Sequence, residues 1–380
     1  MTHLWVRAEQ RPNEERVGLT PEGARELMAA GMKVTVEQSD QRAILIDGYR
    51  DAGCDIAAAA SWPDAPEDAI IFGLKELPED GTPLPHRHIM FGHAFKGQHS
   101  GRALLNRFRE GGGTLYDLEY LVDEDGRRVA AFGYWAGYAG AAVTVKAWAA
   151  QQRGGICPAV ATYGGKDALL ADLARDLGGL RIPSAIIIGA LGRVGTGAAD
   201  LCTAMGLAPT LWDMAETSQG GPFPQILEHD MFLNCIFARP GTPVFVPKAA
   251  LEAPRDLTVI GDVACDPDSD YNPVPIYDAA ALEAPRDLTV IGDVACDPDS
   301  DYNPVPIYDA ATDWAAPARR VHDAPPMDVM AIDNLPSLLP VESSQDFAAL
   351  LLPSLRALGH LDRGVWGRAH ETFTTAMKGH

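Results

Sequence analysis

Short apolar runs of strand length alternate along this chain with segments whose apolar positions recur at helical spacing. From the N-terminus the pattern predicts a strand at HLWVRA, a helix from Pro21 to Ala30 and a strand at KVTVE. Thr20 offers a side-chain oxygen at the helix start, Pro21 suits the first helical position, and Gly31 suits the end. AIIFGL (69–74) and HIMFGHAF (88–95) read as buried strands whose ends carry Lys75 and His93. A long helix from about Phe132 to Gln152 follows, then an amphipathic helix, DALLADLARDLGG, closed by Gly178 and Gly179. SAIIIGALGRVGTGAADLCTAMGL reads as strand, tight glycine turn and helix, with PTLWDM as the next strand. DNLPSLLP (333–340) and a helical tail from Ser343 onward carry apolar faces that need a partner, and the N-terminal part of the chain is the expected one. Alternation of this kind predicts an α/β fold.

Composition narrows the function. At 380 residues, 47% hydrophobic and 22% charged, the chain has the material for two packed domains and no signature of disorder. Its formal charge of −21 repels phosphate backbones and anionic lipid heads, which disfavours nucleic-acid and membrane partners. The run Val129 to Val145 is Ala/Gly-rich and leads straight into Lys146, so it reads as a packed helix rather than a bilayer span. MTHLWVRAEQRPNEER is charged almost at once and lacks the apolar stretch of a secretory signal, so a cytoplasmic location is expected. Six cysteines are scattered without a CxxC pair, and are expected to be reduced core thiols rather than disulfides or zinc ligands. HExxH, GxSxG, Walker and EF-hand patterns are absent, which leaves hydrolase, phosphotransferase and metal readings without support and predicts no metal site.

One stretch is duplicated. Residues 250–280 recur without change at 281–311, a period of 31 with only two copies, unlike a solenoid array. Removing one copy leaves 349 residues and a charge of −15, so the composition argument stands either way. One copy can supply its LTVIGDV strand to a sheet; the other is expected to add a strand at an edge or to loop out.

Three groups of residues carry candidate chemistry. Gly189, Gly192, Gly195 and Gly197 punctuate the turn between an apolar strand and a helix, where backbone can approach a pyrophosphate met by helix N-terminal amides. Asp213 ends the next strand 24 residues after Gly189, a position suited to accept ribose hydroxyls and repel a 2′-phosphate, which predicts NAD rather than NADP. A plain glycine turn with a solvent-facing Asp is the bland alternative. Lys75 and His93 sit at strand ends, where a snorkelling surface lysine and a satisfied polar histidine are the ordinary roles. Arg127 and Arg128 follow an acidic DEDG turn and suit either a carboxylate ligand or a solvated hairpin pair.

RAEQRPNEERVGLTP, IIFGLKELPE, HIMFGHAFKGQ, GTLYDLEYL, GRRVAAFG, IIIGALGRVGTGA, SQGGPF and IDNLPSLLP together resemble the NAD-dependent, lysine-forming saccharopine dehydrogenases. These form a branch of the alanine dehydrogenase and transhydrogenase superfamily, and the resemblance runs nearly end to end. The first stretch and the glycine turn are shared with the wider superfamily, whereas GRRVAAFG, HAFKGQ and SQGGPF look specific to the branch. It implies two Rossmann-like domains with a cleft between them: a substrate domain of residues 1–133 and 341–380, completed by the C-terminal segment, and an NAD domain of residues 134–340. It implies the reversible conversion of saccharopine, NAD and water into L-lysine, 2-oxoglutarate and NADH, in lysine biosynthesis. Carried onto matching positions, Lys75 takes the proton of the secondary amine, and His93 activates water and protonates the departing amine. A lysine beside other cations can be lowered toward neutrality, as such a base requires. Glu76 and Glu119 tune that pair; Arg11, Arg16, Lys96, Gln98, Arg127 and Arg128 hold substrate carboxylates; Gly189, Gly192, Arg193, Gly195, Asp213, Gln219 and Asp333 hold NAD.

Three departures from the family pattern stand out. Arg11 replaces a lysine, Asn334 replaces a histidine, and Val194 replaces a cysteine able to pair with the position of Cys235, so that redox pair is not available. The competing readings are an alanine dehydrogenase-like or other opine-type enzyme, which shares the Lys/His pair, and a non-catalytic NAD(H)-binding protein disabled by the duplication. Neither the physiological direction nor the choice between a monomer and a small homo-oligomer is read from the sequence.

Overall fold

The computed structural model describes residues 1–95, 99–236, 241–247, 254–263, 290–293, 311–323 and 326–378. The chain divides into two units, Met1–Ala131 with Pro340–His380, and Phe132–Leu339. The first begins β1 (His3–Val6), α1 (Pro21–Ala29), β2 (Lys33–Glu37), α2 (Ile46–Ala52) and β3 (Asp55–Ala57). It continues with β4 (Ile70–Phe72), β5 (Arg87–Met90), α3 (His99–Gly111) and β6 (Thr114–Asp117). The order is β3-β2-β1-β4-β5-β6 and every pairing is parallel, the doubly wound arrangement in which strand order reverses beside β1. Parallel strands covered on both faces need continuous apolar runs, and Ile70, Ile71 and Phe72 are all buried. Thr20 caps α1 as expected, its Oγ1 accepting the Gly23 N–H at 3.2 Å, with Pro21 in the first turn. The strand expected over 88–95 is shorter: β5 ends at Met90, and His93 (φ +46°) has left the extended conformation.

The second unit holds α4 (Gly133–Gln152), α5 (Lys166–Leu177), β7 (Ala185–Ile188), α6 (Arg193–Ala204), β8 (Thr210–Trp212) and α7 (Met214–Thr217). Then come β9 (Met231–Asn234), β10 (Val259–Asp262), β11 (Val290–Asp293), β12 (Arg319–Asp323) and β13 (Pro326–Ala331). The sheet runs β12-β13-β11-β10-β9-β7-β8 and is parallel except for the β12–β13 pairing at its edge. α4 is buried on every side, which explains its Ala/Gly composition. A Cβ on Gly137 would lie 1.8 Å from the Val194 carbonyl oxygen of α6, and one on Gly197 would lie 1.9 Å from that of Tyr134. Lys146 of α4 is buried with Asp172 at 2.7 Å and Asp176 at 2.5 Å. Among the described residues no helix is long and apolar enough to cross a membrane.

The duplicated segment corrects the expectation that its second copy lies at an edge or outside the sheet. β10 and β11 are the VIGD strands of the two copies, and β11 stands inside the sheet, between β10 and β13. Val259 pairs with Val290, Ile260 with Ile291, Gly261 with Gly292 and Asp262 with Asp293, so each residue lies beside its own copy. A strand built to be buried between two parallel neighbours is equally suited when the neighbour is its duplicate. Most of the remaining duplicated residues lie outside the described ones.

The chain then returns to the first unit as α8 (Pro340–Leu355) and α9 (Gly364–Lys378). Ser344 Oγ accepts the Val17 N–H at 2.9 Å, and α8 packs against α1. α9 lies on β6, with Trp366 edge-on to Tyr116 and the Arg368 guanidinium bonded to the Val122 carbonyl.

Candidate functional site

In the first unit, the C-terminal ends of neighbouring parallel strands deliver the candidate residues to one sheet edge. Lys75 leaves β4, His93 leaves β5 and Glu119 leaves β6. The backbone at Lys75 is fixed from the segment just after β1. Glu9 accepts the N–H of Leu74 at 2.6 Å and of Lys75 at 3.1 Å, while the Arg7 guanidinium donates to the Lys75 carbonyl. Arg7 and Glu9 pair at 3.3 Å, and Gly73 is required where it stands because a Cβ there would come 2.3 Å from Arg7 Nε. His93 Nδ1 lies 3.3 Å from Glu119 Oε2, and its ring is stacked with Phe91 at 6.4 Å between centroids. A non-glycine residue held at positive φ stores backbone strain, and here it falls on a candidate catalytic group.

The expected carboxylate ligands are arranged less uniformly. Arg11 Nε lies 3.7 Å from Glu76, so Glu76 is drawn to Arg11. Arg16 is only 3% exposed and grips Glu14 through Nε at 2.8 Å and Nη2 at 2.6 Å. Burial alone would push the Glu14 carboxyl up, but the charge and hydrogen bonds of Arg16, with the charge of Lys75, hold it down to about 2. Arg127 and Arg128 lie exposed on the hairpin closed by the Val122–Arg128 bridge, where Arg127 pairs with Asp125 at 3.9 Å. Among the described residues no contact ties that pair to Lys75 or His93. Lys96 and Gln98 lie outside the described residues.

In the second unit the glycine turn joins β7 to α6 at the point where strand order reverses, since β8 lies on one side of β7 and β9 on the other. Its four glycines do different work. Gly189 (φ +87°) makes the turn beside the Cys235 backbone, and a Cβ on Gly195 would lie 2.1 Å from the Gly189 carbonyl oxygen. Gly192 is the N-cap of α6 with no side-chain bond to the first amides, while Gly197 serves the contact with α4. Asp213 follows β8; its Oδ2 accepts the Leu191 N–H of the turn at 2.9 Å and its Oδ1 that of Met214 at 2.8 Å. Helix amides without a side-chain cap, glycines at the turn and a carboxylate fixed at the next strand end fit a dinucleotide: Gly192 and Arg193 at the pyrophosphate, Asp213 at a ribose. Arg193 and Gln219 are exposed, and Asp333 follows β13 beside Asn334, whose φ of +67° is one asparagine adopts readily. Cys54, Cys157, Cys202 and Cys235 are free and buried, while Cys265 and Cys296 lie outside the described residues.

Residues 5–139 match the family model of the alanine dehydrogenase/PNT N-terminal domain. Over 390 residues the chain is 40% identical to the saccharopine dehydrogenase (NAD(+), L-lysine-forming) of Schizosaccharomyces pombe, covering 99% of this chain and 98% of that one. This chain belongs to the saccharopine dehydrogenase family. The Yarrowia lipolytica member is 41% identical over 385 residues, 97% of this chain and 96% of its own. An L-alanine dehydrogenase structure shares the fold, with a TM-score of 0.62 at 18% identity over 99% of this chain and 100% of that one.

Residues to which the sequence pattern assigns no role hold the expected ones in place. Glu9 and Arg7 clamp the Lys75 backbone, Glu14 binds Arg16, and Asp117 stands behind Glu119. Their only sequence signal is polarity next to a buried strand, as in TLYD, where an aspartate closes an otherwise apolar run.

Proposed function

We propose that this chain is a working NAD-dependent, L-lysine-forming saccharopine dehydrogenase. Saccharopine, NAD+ and water become L-lysine, 2-oxoglutarate, NADH and one proton. NAD, when bound, accepts hydride from the substrate carbon. Lys75 takes the proton of the substrate's secondary amine, and His93 then removes a proton from the water that attacks the iminium carbon. With the Glu119 carboxylate 3.3 Å from Nδ1 favouring a proton on that nitrogen, Nε2 is left as the base; the same ring returns a proton to the departing lysine amine. Arg11, Lys96, Gln98, Arg127 and Arg128 are assigned to the substrate carboxylates, the guanidinium groups binding in bidentate fashion, whereas the expected Arg16 is already held by Glu14 and is not among them. Gly189, Gly192, Arg193, Gly195, Asp213, Gln219 and Asp333 are assigned to NAD. A reducing compartment, the cytoplasm, suits the four buried free thiols.

The observation that carries the reading is that adjacent parallel strands β4, β5 and β6 release Lys75, His93 and Glu119 at one sheet edge. The test is NADH oxidation followed at 340 nm with 2-oxoglutarate and lysine, against ammonia and pyruvate. Turnover requiring lysine and 2-oxoglutarate, and lost in Lys75→Met and in His93→Gln, is expected. Turnover with pyruvate and ammonia instead moves the chain to alanine dehydrogenase chemistry, and NADH binding without any turnover shows a disabled site.

A further inference from the structure

We infer that Asp117 is a positioning residue of the acid–base site, a buried carboxylate that fixes Glu119 and steadies positive charge on His93. This rests on the assignment of His93 as the acid–base group. Asp117 is the last residue of β6 and has no exposed surface. Its Oδ1 accepts the Glu119 N–H at 2.9 Å, and the Glu119 carboxylate reaches His93 at 3.3 Å. Its Oδ2 has no hydrogen-bond partner among the described residues and faces Gly92, the residue before His93. A Cβ on Gly92 would stand 3.1 Å from that oxygen and 2.7 Å from Leu115, so the glycine makes the room in which the carboxylate sits.

A buried carboxylate oxygen without a hydrogen bond is costly, and an apolar residue at this strand end would fold more readily. Such a group persists where its charge has work to do, and the charged groups that face it are His93 and Glu119. From α3 the same corner receives Leu104, and α9 meets β6 at Tyr116 with Trp366 and His370. Burial pushes the Asp117 carboxyl up and the Glu119 charge adds to this, while the Glu119 N–H and His93 draw it back, leaving it at about 6. An ionised Asp117 favours the imidazolium, so removing its charge makes the ring release its proton at lower pH.

The test is Asp117→Asn, with kcat/KM measured across pH and the His93 ring titrated by NMR. The acid limb and the ring titration are both expected to move down by about half a pH unit or more, a relative gain of about threefold on the limb. Because the folded carboxyl sits above its unfolded value, its penalty is present at high pH and gone below the unfolded value. Asp117→Asn is therefore expected to raise Tm at pH 8 and to raise it less at pH 5. A limb and a ring titration that stay in place, or a Tm lowered equally at both pH values, overturn the proposal and leave Asp117 a packing residue. If His93→Gln retains wild-type turnover, the assignment of His93 falls and this proposal with it; if His93→Gln is inactive while Asp117→Asn moves nothing, only the proposal falls.

Discussion

The Glu9 carboxylate binds the backbone N–H of Lys75 at 3.1 Å, so the segment that follows the first strand holds the lysine that leaves the fourth. With Leu74 at 2.6 Å and Arg7 on the Lys75 carbonyl, the proposed base sits on a fixed platform at the sheet edge. Positioned groups lose rate steeply when displaced.

Glu9→Ala strands two N–H groups and the 1%-exposed Arg7 guanidinium. The expected cost is about 2–4 kcal/mol of stability, read as a lower urea midpoint, with kcat down about tenfold or more. Glu9→Gln turns an amide donor toward a backbone donor and should lower kcat while leaving NADH binding intact. Wild-type kcat in both variants would show that the clamp does not position Lys75.

Glu14 gives the protein a defined acid response. Its carboxyl, at about 2 in the fold against 4.5 without the fold, contributes stability that is fully present above 4.5 and lost as pH falls toward 2. The size is up to about 3 kcal/mol. Urea midpoints of the wild type and Glu14→Gln should differ at pH 7, and the gap should shrink by about half or more at pH 3 and close as pH falls to 2; a constant gap would contradict the pairing with Arg16.

Asp213 bonds the glycine turn through the Leu191 N–H and caps α7 through the Met214 N–H. Asp213→Ser keeps a small acceptor and removes the charge that repels a 2′-phosphate. The NADPH to NADH ratio of kcat/KM is expected to rise about tenfold or more, with a stability loss of about 1 kcal/mol from the weakened cap. An unchanged ratio would place the ribose elsewhere.

Deleting residues 281–311 produces the same 349-residue chain as deleting 250–280, because the copies are identical. β13 would then pair with β10, meeting at Val259 the same side chain that Val290 now presents to Asp328. The shortened enzyme should fold, bind NADH and turn over within about threefold of the full chain, since pattern and register at the new pairing are preserved. An insoluble product, or lost NADH binding, would show that the inserted strand has become necessary.

The sequence by itself determined the local elements and their chemistry. Thr20 and Pro21 start α1, unbroken apolar runs make the parallel strands, and the glycine spacing after Ile188 marks the turn into α6. These follow from φ preferences, capping and period, which act within a few residues. Its resemblance to a family carried the reaction and the positions of Lys75 and His93. Only the tertiary structure decided that β11 enters the sheet beside its own copy, that Gly197 serves a helix contact, and that Glu14 occupies Arg16. It alone placed Asp117 behind Glu119 and Glu9 beneath Lys75. Those outcomes depend on which distant segments become neighbours and on the cost of burying charge between them, and neither is encoded in the spacing along the chain.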